Sequence, residues 1–242
     1  MTMVEDIATL SKVESDDFWM NAKTRLFIEN ICIKDAKILD VGCGTGLLSS
    51  KLANRGYQVD AIDFSEFSVE QTKKKILKEG LGSRVNVWRS TIDTLDFKEK
   101  YDYIILSDVL EHIKNDTAAL EKSYGLLKNG GYLIISAPAL KCLYGKHDIY
   151  CEHFRRYSRK ELYSKLKNSN FDIVSMRYWN ILMVPAAFIL SKILKRTYPH
   201  SNVNSRRSLN KLLEWYYINF ENKINFSIGL SLFAVAQKRE PV

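Results

Sequence analysis

Short apolar runs alternate with amphipathic stretches along most of the chain. Residues 37–41, 57–62, 84–88, 101–106, 132–136 and 171–178 are runs of strand length, rich in β-branched and aromatic side chains, and residues 228–237 form one more. Between them, apolar positions recur at helical spacing. Ser15 reads as the N-cap of a helix over residues 15–33, with Asp16 and Asp17 in its first turn and Phe18, Trp19, Ala22 and Leu26 along one side. Residues 47–54 form a second helix, ended by Gly56. Ser65 caps a third, reaching about residue 79, which turns Val69, Thr72, Ile76 and Leu77 inward. Asn115 or Asp116 opens another, stopped at Gly130-Gly131, and Ser158-Arg159-Lys160-Glu161 is a capping box for the next. The alternation predicts an α/β fold, a parallel sheet with helices on both faces.

Two stretches depart from it. Residues 138–157 are an unusually long connection, of the kind that often carries function. Residues 179–226 are the second. Within them, 181–194 are apolar apart from Pro185, Ser191 and Lys192. From Ser205 onward Leu209, Leu212, Leu213, Tyr216, Tyr217 and Phe220 make an amphipathic stripe.

With 242 residues, 46% of them hydrophobic and 26% charged, the chain can bury a full core in one large domain or two small ones. The net charge of +8 favours phosphates, nucleic acid or anionic lipid headgroups, or else marks a solvated lysine-rich surface. Lys73, Lys74, Lys75 and Lys78 need no ligand, since they sit toward the negative end of their helix. No run reaches the ~20 apolar residues needed to span a bilayer. The acidic start (Glu5, Asp6) also lacks the layout of a signal peptide, so a cytoplasmic protein is expected. The four cysteines form no CxxC, and structural disulfides are not expected in that compartment.

The chemistry gathers at Asp40-Val41-Gly42-Cys43-Gly44-Thr45-Gly46, where an apolar strand runs through glycines into a helix. Glycines there let the backbone approach a ligand, and the helix N-terminus favours an electronegative group. Spacing G-x-G-x-G with an acid before it suits a ligand carrying a cation rather than a pyrophosphate. S-adenosylmethionine carries an ammonium and a sulfonium. Asp63, at the end of the next strand, is placed to accept from ribose hydroxyls.

These residues resemble the first motif of the class I S-adenosylmethionine-dependent methyltransferases. Ala61-Ile62-Asp63-Phe64-Ser65 is similar to their ribose-binding strand end, and Leu126-Leu127-Lys128-Asn129-Gly130-Gly131-Tyr132-Leu133 to their turn into strand five. Ser107-Asp108-Val109-Leu110-Glu111-His112-Ile113 resembles the segment after strand four in small-molecule members, including those of quinone biosynthesis. The resemblance implies a Rossmann-like three-layer sandwich with a seven-stranded, mostly parallel sheet whose last strand is antiparallel. It implies S-adenosyl-L-methionine as cofactor. Gly42, Cys43, Gly44 and Gly46 would border its methionine and ribose, Asp40 would orient the loop toward the ammonium, Asp63 would hold the ribose and Phe64 would pack on adenine. Thr91 stands where many members carry an acid that accepts from the adenine amine. Ile92 would offer a backbone N–H and a packing face. Ser107 would lie near the methionine, with His112 at the same strand edge unless it anchors the next helix.

The acceptor is read from the first long connection. Cys151-Glu152-His153-Phe154-Arg155-Arg156-Tyr157 resembles an H-x-R-R-Y segment of a broad small-molecule subgroup. A histidine beside arginines suits an acceptor bearing a carboxylate, phosphate or phenolate. His153 is the candidate base or acceptor orienter, supported by Tyr144, His147 and Arg156; the alternative is a basic run that packs as scaffold. No metal site is expected, because the spacings of Cys142, His147, Cys151 and His153 match no standard zinc pattern. The fourth strand is not followed by N/D-P-P-Y/F and no Pro-Cys is present, which argues against base N6-type and pyrimidine C5 methylation.

Residues 179–194, flanked by Lys192, Lys195, Arg196, Arg206 and Arg207, could roof an apolar acceptor pocket, form a homodimer face, lie peripherally on a membrane through 179–196, or pack against the sheet. The chain therefore reads as a single domain, 1–242, whose insertions 138–157 and 179–226 form an acceptor lid. It would O-methylate a hydrophobic or lipid-linked small molecule with an anionic portion, with a carbon or nitrogen acceptor as close variants. RNA methylation and a non-catalytic cofactor-binding scaffold are the alternatives; with no appended RNA-binding module visible, nucleic acid is the weaker partner.

Overall fold

The computed structural model describes residues 17–96, 100–197 and 207–239. Among these residues seven strands form one sheet: β1 (Lys37–Val41), β2 (Gln58–Asp63), β3 (Val85–Arg89), β4 (Tyr101–Ser107), β5 (Leu127–Pro138), β6 (Phe171–Trp179) and β7 (Ser231–Lys238). Their order is β3-β2-β1-β4-β5-β7-β6. All pairs are parallel except those of β7, which runs antiparallel to both β5 and β6. The expected sheet, including its antiparallel last strand, is therefore present. Strand order reverses between β1 and β4, so the crevice beyond their carboxyl ends is the binding position of an open α/β sheet.

Side chains alternate across the strands into two cores. Leu39, Val41, Ile104, Leu106, Leu133 and Ile135 pack on one face. Ile38, Tyr103, Ile105, Ile134, Phe233 and Val235 pack on the other. The α-helices among the described residues are α1 (Phe18–Glu29), α2 (Leu47–Ala53), α3 (Glu66–Lys78), α4 (Asp116–Leu126), α5 (Lys146–Tyr150), α6 (Arg159–Asn168), α7 (Val184–Phe188) and α8 (Arg207–Tyr216).

Several boundaries differ from expectation. Asp17, not Ser15, caps α1: its carboxylate accepts from the Trp19 and Met20 amides at 2.8 and 3.0 Å. Ser15 and Asp16 lie outside the described residues, as does Ser205. The helix also ends at Glu29, because the Asn30 amide turns back onto Phe27 and Ile28. Leu77 is 82% exposed, since Val69, Thr72 and Ile76 complete the inner row of α3 and the next residue lies a further 100° round. The Gly130-Gly131 pair does not stop a helix. It sits inside β5, with Gly130 at φ +72° beside a register shift against β4. Pro185 falls in the first turn of α7, where its missing N–H costs nothing.

Trp179 and Asn222 are tied to α1 by buried polar bonds. Trp179 Nε1 donates to Asn222 Oδ1 (2.9 Å), and Asn222 Nδ2 donates to the Ala22 carbonyl (3.0 Å). Tyr217 is buried on the inner side of the C-terminal stripe, whereas Leu209, Leu212 and Phe220 are exposed. Among the described residues no helix is long and apolar enough to cross a membrane.

Candidate active site

The glycine turn sits at the carboxyl end of β1. Gly42, Gly44 and Gly46 have φ of +69°, +57° and +81°, the left-handed region that side-chain-bearing residues avoid. A Cβ on Gly42 would stand 2.5 Å from Val109 Cγ2, and one on Gly46 would stand 2.7 Å from Thr72 Cγ2. Gly44 has nothing within 4 Å of that position, so the turn presents a bare backbone edge to open space. That cradle fits a ligand pressed against the chain. Thr72 on α3 braces it, donating to the Gly44 carbonyl at 2.8 Å and lying 3.7 Å from the buried Cys43 sulfur.

The acids around the turn have different tasks. Asp40 is fully buried and accepts from Ser49 Oγ at 2.6 Å. Burial pushes its carboxyl up to about 6 against the Ser49 bond, and the charge of Asp63 adds to the rise. Asp63 accepts from the Gly44 amide and the Ser65 amide, each at 2.9 Å, through different oxygens. It therefore locks the glycine turn to the end of β2 and keeps one lone pair per oxygen for a ligand. Phe64 beside it is 62% exposed, an open aromatic face at the rim. Thr91 spends its hydroxyl on Thr94, with the two Oγ1 atoms 2.9 Å apart. Ile92 is 1% exposed and packs into the core, so it presents no side-chain face to a ligand, contrary to expectation.

A cavity of about 140 Å³ separates the turn from α1, lined among others by Trp19, Lys23, Asp40, Gly44, Ser107 and Asp108. Its size suits the methionine end of a ligand rather than a nucleoside. Lys23 and Asp108 close it with an ion pair. Asp108 has φ +53°, accepts from Ser136 Oγ at 2.8 Å and donates its amide to the Ser136 carbonyl at 3.0 Å. Burial opposes its charge, but Lys23 and the Ser136 bond prevail and hold its carboxyl below the usual range.

The connection after β5 folds back onto the end of β4. The Phe154 amide donates to the Glu111 carbonyl at 2.9 Å, and the His112 and His153 rings meet edge to face at 4.7 Å. His153 Nδ1 lies 3.0 Å from Asp148 Oδ1, and Asp148 is wholly buried. Burial works against that carboxylate, yet the bonds from His153 and Arg156 keep it ionised below the ordinary range. Burial and the neighbouring His153 pull His112 down to about 4, so it is neutral near pH 7. Glu111 is buried with neither carboxylate oxygen hydrogen-bonded, and burial together with Asp108 drives its carboxyl well up. One ligand-type atom from each of Glu111, His112 and His153 lies within 4.8 Å of the others, a grouping different from the Cys142, His147, Cys151 and His153 set weighed from spacing.

The other sequence candidates support this cluster. Arg156 is buried, donating to Asp148 Oδ1 at 2.7 Å and to the Ala139 carbonyl at 3.1 Å, so it braces the site and does not grip an acceptor. Arg155 pairs with Asp116 at 2.8 Å. Tyr144 donates its hydroxyl to the His153 carbonyl at 2.8 Å. His147 lies one helical turn from Cys151, Nε2 to sulfur 3.7 Å. Lys23, Glu111 and Asp148 carry no role in the sequence reading. Lys23 had a signal: a cation within the apolar row of α1 demands a buried acid. Asp148 had no such signal, because Glu152 stands nearer in sequence to His153, Arg155 and Arg156.

A sequence profile described as a methyltransferase domain matches residues 15–176. The chain belongs to the S-adenosylmethionine-dependent methyltransferases. The cofactor is S-adenosyl-L-methionine, and this methyltransferase has the class I fold. It is 39% identical to a ubiquinone biosynthesis O-methyltransferase of Rickettsia felis over 104 residues, which are 43% of this chain and 42% of that one. It is 29% identical to the protein of that name in Rickettsia bellii over 172 residues, 66% of this chain and 71% of that one. The methyltransferase thus spans less than half the length of the Rickettsia felis relative. A solved S-adenosylmethionine-dependent methyltransferase from Methanosarcina mazei superposes with a TM-score of 0.60 at 18% identity, covering 89% of this chain and 98% of that one, a likeness of fold.

Proposed function

We propose that this methyltransferase O-methylates a hydrophobic small molecule with a ring hydroxyl and an anionic portion, a quinone-related phenol being the class favoured by its relatives. The observation that carries this reading is the buried Asp148 carboxylate holding His153 by Nδ1 at 3.0 Å. S-adenosyl-L-methionine supplies a methyl group activated on a sulfonium. The Gly42–Gly46 turn and Asp40 would hold its amino-acid end, Asp63 the ribose and Phe64 the adenine. With Nδ1–H donated to Asp148, His153 keeps Nε2 as a base. It would take the hydroxyl proton as the acceptor receives the methyl group, and Asp148 would stabilise the imidazolium that forms. Lys23 and α1 exclude water on one side. Residues 138–157, 179–197 and 207–226 would form the lid of a single domain.

The test follows methyl label from S-adenosylmethionine into prenylated catechols, with and without a ring carboxylate, and into bulk RNA. Label in the catechol fraction supports the reading. Label in RNA, or cofactor binding with no transfer to any acceptor, overturns it. A second reading has its own observation: Glu111, His112 and His153 can hold a divalent cation that acidifies the acceptor hydroxyl in place of a base. Loss of turnover in EDTA, restored by added magnesium or zinc, favours that reading.

A further inference from the structure

We propose that residues 181–197 are a docking surface for an anionic lipid bilayer. The observation is an apolar helix that no other described residue covers, bordered by cations. Leu182, Met183, Phe188, Ile189, Ile193 and Leu194 are between 39% and 64% exposed. Of α7 and the single π turn that continues it, Ile189–Ile193, only Ala187 is buried. A patch of this kind on a monomer marks an interaction site.

Charge identifies the partner. No acidic residue occurs from 181 to 197, while Lys192, Lys195 and Arg196 do. Lys195 and Arg196 share a cleft with Lys146, Leu190 and Thr197, placing cations and an aliphatic side chain around one space. A phosphate headgroup with its acyl chain has the matching chemistry. A symmetric second copy would set this cationic surface against itself, which like charge disfavours. The helix is too short to cross a bilayer, so it lies in the interface.

The surface is coupled to the candidate base. Ser191 Oγ donates to the Leu143 carbonyl at 2.8 Å, and the Tyr144 hydroxyl donates to the His153 carbonyl at 2.8 Å. The docked segment therefore lies two hydrogen-bonded steps from His153. This link to acceptor delivery rests on the proposed O-methylation; the docking surface does not.

Flotation of the full chain with vesicles tests it, using pure phosphatidylcholine and an equal mixture with phosphatidylglycerol. Binding to the mixed vesicles alone, weakened by salt, is expected. Lys195→Ala with Arg196→Ala should lower it about 25-fold, at about fivefold per cation. Phe188→Ser with Ile193→Ser should abolish it. Both variants should keep wild-type affinity for S-adenosylhomocysteine, which shows that they fold. Equal flotation of wild type and both variants overturns the proposal, as does a concentration-dependent dimer that these substitutions break while no vesicle binds. Normal turnover of a water-soluble catechol alongside failed flotation would sink the docking surface and leave the reaction standing.

Discussion

Lys23 of α1 forms an ion pair with Asp108 beyond the end of β4, across the cavity beside the glycine turn. The lysine side chain is 5% exposed and its ammonium also lies 4.7 Å from the Trp19 ring centre. The pair fastens α1 over the cofactor position and, with Ser136, holds Asp108 in its left-handed conformation. Lys23→Met leaves a partly exposed carboxylate without its cation, a loss of about 1.5–3 kcal/mol. Lower thermal stability and weaker S-adenosylhomocysteine binding should appear together in differential scanning fluorimetry and calorimetry.

The three glycines should separate folding from binding. Gly42→Ala and Gly46→Ala force contacts of 2.5 and 2.7 Å with Val109 and Thr72, so both should destabilise the fold. Gly44→Ala meets no neighbour and should cost only about 1–2 kcal/mol for its left-handed backbone. It should nevertheless lose S-adenosylhomocysteine binding, because the new methyl group occupies the ligand's space. Melting curves and calorimetry on the three variants check this.

With Asp40 at the amino-acid end of the cofactor, as proposed, cofactor affinity should depend on pH. A carboxyl at about 6 must release its proton to face an ammonium, so S-adenosylhomocysteine binding should weaken as pH falls through 6, by up to about tenfold per unit. Calorimetry in buffers of different ionisation enthalpy should detect proton release near pH 6, and Asp40→Asn should remove it.

His112 affects stability in acid. Its folded pKa of about 4 lies below the ordinary histidine value, so the unfolded chain binds the proton first as pH falls. Stability should decline between about pH 6.5 and 4, and His112→Gln should flatten that part of the curve. Asp40, raised rather than lowered, acts in the opposite sense over the same range. Melting temperatures of His112→Gln, Asp40→Asn and the double variant separate the two.

The sheet, its order of helices and the cofactor turn were legible because they depend on local signals: β-length apolar runs, N-caps and glycines before a helix. Ser65, Asn115 and Ser158 cap helices where their positions suggest. The Gly130-Gly131 pair misled because a β-bulge and a helix stop require the same backbone freedom. Arg156 shows the limit more sharply. An arginine beside a histidine reads as an anion clamp, and only the fold reveals Asp148 beneath it. Lys23 and Asp108 are 85 residues apart, a partnership no periodicity reports.

The most direct test combines labelled methyl transfer to a prenylated catechol with S-adenosylhomocysteine calorimetry, on wild type and His153→Ala. The account predicts product from wild type and at least about 10²-fold less from His153→Ala, with the dissociation constant unchanged. Equal turnover by the two proteins would remove His153 as the base, and failure of the wild type to bind S-adenosylhomocysteine would contradict the account at its root.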